Sequence, residues 1–394
     1  MVKTTKPNRR QRMKSLAILL LTMLPLLLAS RSTAEEIKTI TISAAGDCTL
    51  GRNHKMAYED SWDDCYAKYG AEYFLQDVSS VFLQDDLTIV NLEGVLSESA
   101  PRQEVFYRQR TGKYSEKKYC HLGKPEYLAA LTLGGVDAVS FANNHNIDYG
   151  LQGFEDTLDA CADHRLPVAY YDTVARFTVS GMTVGVASVD ATYCSTEVAE
   201  AYLRAAMNDL RADCDLIVAC MHWGKNYEQL PDDRQRALGR LCVDLGADLV
   251  IGHHAHILQG VERYRGRYIF YSLGNFTYGG RAVPRDVDTM IAQQTFTFVD
   301  GVLQVDDNVT LLPCWMSTRR EINDFRPVIQ QGAAASAIID KVNALSATLG
   351  TRFDATGHPA MVPEANAERP LPDISAPVQT PPRVPAIIRT LLGE

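Results

Sequence analysis

No C-x-x-C pair occurs in the 394 residues, which excludes a zinc ribbon and a thioredoxin-like redox site. Beyond residue 34 there is no Lys/Arg-rich motif that would build a basic face, and the formal net charge is −9. Phosphate neutralisation needs such a face, so nucleic acid is excluded as a general partner. The apolar run Leu16–Ala29 is shorter than the ~20 residues of a comfortable bilayer span. No internal repeat is found. Paired thiols are limited too, because nine cysteines leave at least one unpaired in any monomer. Cys220 and Cys242 fall inside an expected strand and helix and read as core, while others are free to form disulfides if the chain is exported.

What is present is a soluble globular profile, 46% hydrophobic and 22% charged, with room for one large or two ordinary domains. Residues 1–34 read as a signal peptide or N-terminal anchor. Lys3, Lys6, Arg9, Arg10, Arg12 and Lys14 precede the apolar run 16–29, and Ser32-Thr33-Ala34 offers a cleavage site before Glu35. Arg9-Arg10 invites a twin-arginine reading, but Arg12 stands where such signals take an apolar residue. The chain is therefore expected to be exported to the cell envelope or beyond, cleaved after Ala34 or held in a membrane through residues 16–29.

From Ile37 the pattern alternates strands and helices. Ile37–Gly46 is a strand ending on Asp47; a helix is expected over Glu72–Gln84, then a strand Leu87–Val90 leading to Asn91-Leu92-Glu93. Glu98–Cys120, with Arg102, Arg108, Arg110, Lys113, Lys117 and Lys118, reads as a solvated loop or a basic flap for an anionic substrate. Strand Val136–Ala142 ends at Asn143-Asn144-His145, strand Leu216–Cys220 at His222, and strand Leu249–Ile251 at His253-His254-Ala255-His256. Residues 35–320 form the main domain, 321–350 a helical extension, and 351–394 a proline-rich tail too poor in apolar residues to order itself.

Helices between strands imply parallel pairing, and ligands in such sheets bind beyond the carboxyl ends of the strands. Each polar cluster falls at such an end. Asp47, Glu93, Asn144, His222, His254 and His256 combine carboxylate, amide and imidazole donors, which suits one or two divalent ions of the Mn, Zn or Fe kind better than Ca²⁺ or Mg²⁺ alone. Glu93 is placed to bridge two ions, and His145 to protonate a leaving group. Around them Arg52, Asn143, Trp223 and Asn275 are candidates for holding a ligand or meeting substrate; Asp148 is another, although its place before a helix also reads as a cap.

The segments Ala45-Gly-Asp47-Cys-Thr-Leu-Gly51-Arg52, Asn91-Leu-Glu93, Ala142-Asn-Asn-His145-Asn-Ile-Asp148-Tyr-Gly150, His222-Trp-Gly224, Gly252-His-His254-Ala-His256 and Tyr271-Ser-Leu-Gly-Asn275-Phe276 resemble the CapA family of bacterial capsule or poly-γ-glutamate biosynthesis proteins. The resemblance runs from about Lys38 to Gly279. It implies a calcineurin-like metallophosphoesterase fold: an α/β four-layer sandwich of two mixed β-sheets flanked by helices, with a metal centre at one edge. It also implies an anionic polymer or peptide such as poly-γ-glutamate as substrate, and the membrane-bound capsule synthesis machinery as a possible partner. The superfamily's usual histidine two residues after the first aspartate is here Thr49, its usual second aspartate is Glu93, and the proline usual in the CapA family between the last two histidines is Ala255. Three functions follow as alternatives: a metal-dependent hydrolase cutting an amide, a metal-dependent phosphoesterase, and a polymer-binding or export accessory without turnover.

Overall fold

The structure, a computed structural model, describes residues 35–53, 56, 58–99, 106–108 and 114–361. The expected signal segment 1–34, the loop residues Arg102, Arg110 and Lys113, and the tail beyond 361 lie outside the described residues.

The alternation Ile-Lys-Thr-Ile-Thr-Ile sets the centre of the fold. In strand Ile37–Thr49, Ile40, Ile42 and Ala44 turn inward while Ile37 and Thr39 stay exposed, as a half-buried strand dictates. This strand pairs antiparallel with Asp288–Val299 on one side and parallel with Leu87–Leu92 on the other. Its sheet runs in the order Val328–Ile329, Val309–Trp315, Asp288–Val299, Ile37–Thr49, Leu87–Leu92, Ala138–Ser140, Val168–Ala169, with Asn275–Tyr278 also paired parallel to the first strand. A second mixed sheet runs Ala175–Val179, Met182–Asp190, Leu216–His222, Leu249–His253, Arg267–Phe270, Val261–Tyr264. Its three central pairings are parallel.

One core lies between the sheets, where Ile40, Ile42 and Ile89 meet Val184, Val218, Ile251 and Phe270. A second core joins the outer faces to their helices, including Gly150–Asp163, Thr196–Leu210 and Asp233–Asp244, through Phe154, Leu203, Met207, Leu238 and Cys242. The expected two-sheet sandwich flanked by helices is the observed architecture. Its helices start where local chemistry says they should. Ser195 accepts from Val198 N, and Asp232 with Gln235 completes a reciprocal cap at the start of Asp233–Asp244.

Two local expectations need correction, and a third stretch, before Tyr268, carries none. The helix expected over Glu72–Gln84 is a 3₁₀ turn Ala71–Tyr73 and a short helix Ser79–Phe82, interrupted at Val78 (φ −125°) next to Asp77, whose carboxylate is drawn to Arg326 at 2.7 Å. The stretch before Tyr268 is a hairpin, Val261–Tyr264 with Arg267–Phe270, turning on Arg265 and Gly266, both at positive φ. Order also continues past residue 351, because Arg352–Phe353 pairs with Pro359–Met361 and Asn343 clasps the backbone of Phe353 at 2.7 and 2.9 Å.

All nine cysteines are free, seven of them buried, so the expected option of disulfides is not used. Denatured but unreduced protein is expected to take up nine equivalents of a thiol reagent. Uptake of seven or fewer would show a bridge.

Candidate metal centre

The carboxyl ends of strands from both sheets meet at one edge of the sandwich. The first sheet delivers Asp47 within its central strand, Glu93 one residue past Leu87–Leu92, and Asn143-Asn144-His145 after Ala138–Ser140. His222 and His253 come from the second sheet as the last residues of Leu216–His222 and Leu249–His253. Close approach of backbone makes this convergence possible: a Cβ on Gly46 would sit 2.0 Å from the carbonyl oxygen of Gly274, and one on Gly252 would sit 2.2 Å from that of Tyr271. Beyond Gly252 the chain bends sharply. His254 and His256 both take positive φ, 90° and 59°, a costly conformation for non-glycine residues that places both imidazoles in the site.

These donors fall into two groups of three whose ligand atoms lie within 4.8 Å of one another: Asp47, Glu93 and His256, and Glu93, His222 and His254. Glu93 belongs to both, as a bridging carboxylate would. His256 spans the first group, with Nδ1 3.2 Å from Asp47 Oδ2 and Nε2 3.6 Å from Glu93 Oε1. In the second, His222 Nε2 lies 3.0 Å from His254 Nδ1, 3.9 Å from Glu93 Oε1 and 2.7 Å from Asn144 Oδ1, so the Asn144 amide oxygen joins the same cluster. Every ligand-bearing residue is buried.

Charge and hydrogen bonding show that this cluster fits a cation. Both oxygens of Glu93 are buried without a hydrogen-bond partner, which for a carboxylate is expensive unless a positive charge meets it. Burial accordingly pushes the Glu93 carboxyl well above its usual range, with the nearby Asp47 charge adding to the effect. Burial works the same way on Asp47, but hydrogen bonds from His253 and His256 outweigh it and hold that carboxyl low. Burial would lower His256; the charge of Glu93 and the bond to Asp47 instead push it up to about 9. Burial and then the charge of His254 hold His222 well below its usual value, and burial and then the charge of His256 push His254 down to about 3, so both present neutral imidazoles to a metal.

The surrounding residues hold these donors in place. Asn91 donates to Asp47 Oδ1 at 2.9 Å, and Asn275 Oδ1 lies 2.9 Å from His256 Nδ1. Thr49 donates its hydroxyl to the Glu93 carbonyl at 2.8 Å and so positions that residue. Asn143 donates to the Leu92 carbonyl at 2.7 Å and accepts from His145 N at 3.0 Å. His253 lies 3.1 Å from Asp47 Oδ1 yet belongs to neither group of three. Two candidates stand apart. Arg52 is paired with Asp63 at 2.9 Å, and Trp223 is core, its indole N–H donating to the Tyr271 carbonyl at 2.9 Å.

His145 sits beside the donors, Nε2 3.7 Å from Glu93 Oε1, with Nδ1 2.7 Å from Asp148 Oδ2. Asp148 is not a helix cap: Tyr149 takes the N-cap position without a side-chain bond, and Asp148 gathers His145, the backbone N–H of His121 at 2.6 Å, and the ammonium of Lys117. Lys117 is expected in a solvated loop or a substrate-facing basic flap, but it is buried and also donates to the Asn144 carbonyl. Sequence reasoning likewise passed over His121, whose buried ring lies against that of His145, tilted by 48° with centroids 4.3 Å apart. Only its place in a polar segment ahead of Asn144-His145 could have drawn attention to it. Burial first, then the Lys117 charge, hold the His145 imidazole well below its usual value, so it rests neutral.

Residues 41–279 match the family described as Bacterial capsule synthesis protein PGA_cap. PGA biosynthesis protein CapA of Bacillus subtilis (strain 168) is 28% identical over 307 residues, 71% of this chain and 76% of that protein. Capsule biosynthesis protein CapA of Bacillus anthracis is 29% identical over 266 residues, 62% of this chain and 61% of its own length, so the chain spans less than two thirds of that relative. Among solved structures, a putative 5'-nucleotidase from Staphylococcus aureus in complex with alpha-ketoglutarate is 16% identical, with a TM-score of 0.41 over 75% of this chain and 55% of that one.

Proposed function

The chain belongs to the PGA_cap family of bacterial capsule synthesis proteins, and from that premise we propose that it is an exported, metal-dependent hydrolase cutting amide bonds in an anionic polymer or peptide of the poly-γ-glutamate kind. The observation that carries this reading is Glu93, buried, without a hydrogen-bond partner for either oxygen, and shared between two groups of donors. Asp47, Glu93 and His256 would hold one divalent transition-metal ion, and Glu93, His222, His254 and Asn144 a second. When bound, such ions supply Lewis acidity to the scissile carbonyl and make water more acidic.

This chain's own residues then divide the proton work. Asp148 fixes the His145 ring through Nδ1 and leaves Nε2 facing the donors. Because that imidazole rests neutral, it takes up the proton of the attacking water at Nε2 and returns it to the departing amine nitrogen. Lys117 compensates the Asp148 carboxylate during this exchange, and the burial of the cluster keeps bulk water from levelling the charges. Export is proposed on the basic start and apolar run of residues 1–34.

The test is elemental analysis of the purified chain followed by incubation of metal-loaded protein with poly-γ-glutamate and, in parallel, an aryl phosphate. His145→Ala is expected to keep the wild-type metal content and lose about 10²- to 10⁴-fold in kcat on the polymer. Turnover of the phosphate alone would shift the assignment to a phosphoesterase. Polymer binding without cleavage in wild type would make the chain an accessory.

A further inference from the structure

The segment linking Asn275–Tyr278 to Asp288–Val299 brings two arginines to the His256 side of the metal centre. There Tyr227, half-buried and at positive φ (65°), is anchored by its backbone N–H to the Ala255 carbonyl at 2.8 Å and sets its ring 6.0 Å from that of His256. The guanidinium of Arg285 lies 4.3 Å from the centroid of the Tyr227 ring, and that of Arg281 lies 5.9 Å from it. Neither arginine forms an ion pair with a carboxylate among the described residues, in contrast to Arg52, Arg176, Arg240, Arg263, Arg267 and Arg326. Asn323 donates to the Arg281 carbonyl at 2.8 Å and to that of Tyr278 at 2.7 Å, which ties the arginine-bearing segment to the strand that carries Asn275. Two cations without a carboxylate partner among the described residues thus rest on one aromatic plate beside the donors, in a chain whose net charge is −9.

A guanidinium over an aromatic face keeps its in-plane N–H donors free for a carboxylate or phosphate. We infer that Arg281 and Arg285, stacked on Tyr227, form the subsite that takes a side-group carboxylate of the anionic chain next to the bond being cut, and so set the preference for polyanionic substrate. A γ-linked glutamate chain carries one free carboxylate per residue, so units flanking the scissile amide can meet both guanidinium groups. The inference rests on the substrate class proposed above and adds which residues select it.

The experiment uses the metal-loaded full chain and a fluorescein-labelled γ-linked glutamate hexamer, with binding read by anisotropy between 50 and 300 mM salt and turnover read separately. The double variant Arg281→Gln/Arg285→Gln is expected to weaken binding by about 100-fold and to flatten its salt dependence, since charge-assisted bonds of this kind are each worth about tenfold or more. Arg281→Lys/Arg285→Lys should recover most of the salt dependence but not all the affinity. Arg204→Gln/Arg236→Gln, an equal loss of charge on the outer helices, is expected to leave both unchanged. Metal content and melting temperature report whether the double variant is intact. Unchanged hexamer affinity and salt dependence in an intact double variant would overturn the subsite while leaving cleavage by wild type standing. Failure of wild type to bind the hexamer would overturn it as well. Binding that depends on the arginines in a wild type that cuts nothing would uphold the subsite and overturn the hydrolase reading.

Discussion

Glu93→Gln is expected to lower metal affinity by about 100-fold or more, beyond the loss typical of removing a residue that only supports a ligand, and to invert the order of stability between variant and wild type. The carboxylate contributes to both groups of donors, so no neighbouring side chain takes over its role. Without metal, glutamine removes a buried charge that has no hydrogen-bond partner and leaves a group of the same shape, so the metal-free variant should melt above metal-free wild type at pH 8. With Mn²⁺ or Zn²⁺ in excess the order should reverse. The pH dependence has a definite sign. The Glu93 carboxyl is raised by burial, so its stabilising share is present at low pH and is lost as pH rises through its folded value. The His256 imidazole is raised from 6.5 to about 9, so its share is full below 6.5 and is lost as pH rises through about 9. Metal-free protein therefore weakens toward alkaline pH, while metal binding strengthens as its ligands lose protons. The melting-temperature gap between loaded and stripped wild type should widen from pH 6 to pH 9. A gap that narrows, or a variant that binds metal as tightly as wild type, would refute the bridging role.

Lys117→Met should be the most damaging single change outside the donors, destabilising the loaded chain by about 3–5 kcal/mol, the cost of stripping one partner from a buried ion pair. Both members are buried, Lys117 at 5% exposure and Asp148 at 0%. Burial works against the ammonium, yet the Asp148 charge outweighs it and holds the Lys117 pKa above its ordinary value. In the Met variant Asp148 keeps only neutral partners, the His145 ring and the His121 backbone N–H. The double variant Lys117→Met/Asp148→Asn should cost far less than the two single changes summed, by more than about 2 kcal/mol, as coupled neighbours do. Denaturant unfolding of the four proteins measures this. A cost below about 1 kcal/mol for Lys117→Met would show that the pair is solvated. The same variant should also change the pH profile of turnover, because the Lys117 charge helps keep His145 neutral.

The donors themselves were legible because they end strands. Asp47, Glu93, Asn144, His222, His254 and His256 each follow an apolar run, and parallel strands bring such ends to one edge, so reading the runs located the cluster. That Glu93 would stand among both sets of donors was also legible, from its chemistry. What escaped the sequence was whatever depends on long-range burial. Lys117 sits among Lys113, Lys118 and four other polar residues of Tyr114–Tyr119, and nothing local separates the buried lysine from exposed ones. Asp148 looked like a helix cap because its position before Gly150–Asp163 suits one, until tertiary partners claimed the carboxylate. The Glu72–Gln84 helix failed for a similar reason: its inward-facing Phe74, Leu75, Val78 and Phe82 have helical spacing, but the chain is interrupted at Val78, beside the long-range pair of Asp77 with Arg326. His253 shows the opposite case, a strand-end histidine that stays outside both groups because its neighbours, at positive φ, turn into the site in its place.

The free cysteines have a consequence for how the chain is made. Burial pushes the thiols of Cys161, Cys220 and Cys314 up to about 12, far from the thiolate form that oxidants and disulfides attack. Maturation then requires no disulfide-forming step, and once the fold has closed its seven buried thiols are shielded from the redox poise of the compartment, which leaves the half-buried Cys194 and Cys214 to feel it. Refolding yields in dithiothreitol and in a glutathione buffer should match, provided the glutathione is added after collapse; before it, nine reactive thiols make oxidised misfolding the main hazard on the path to the native state.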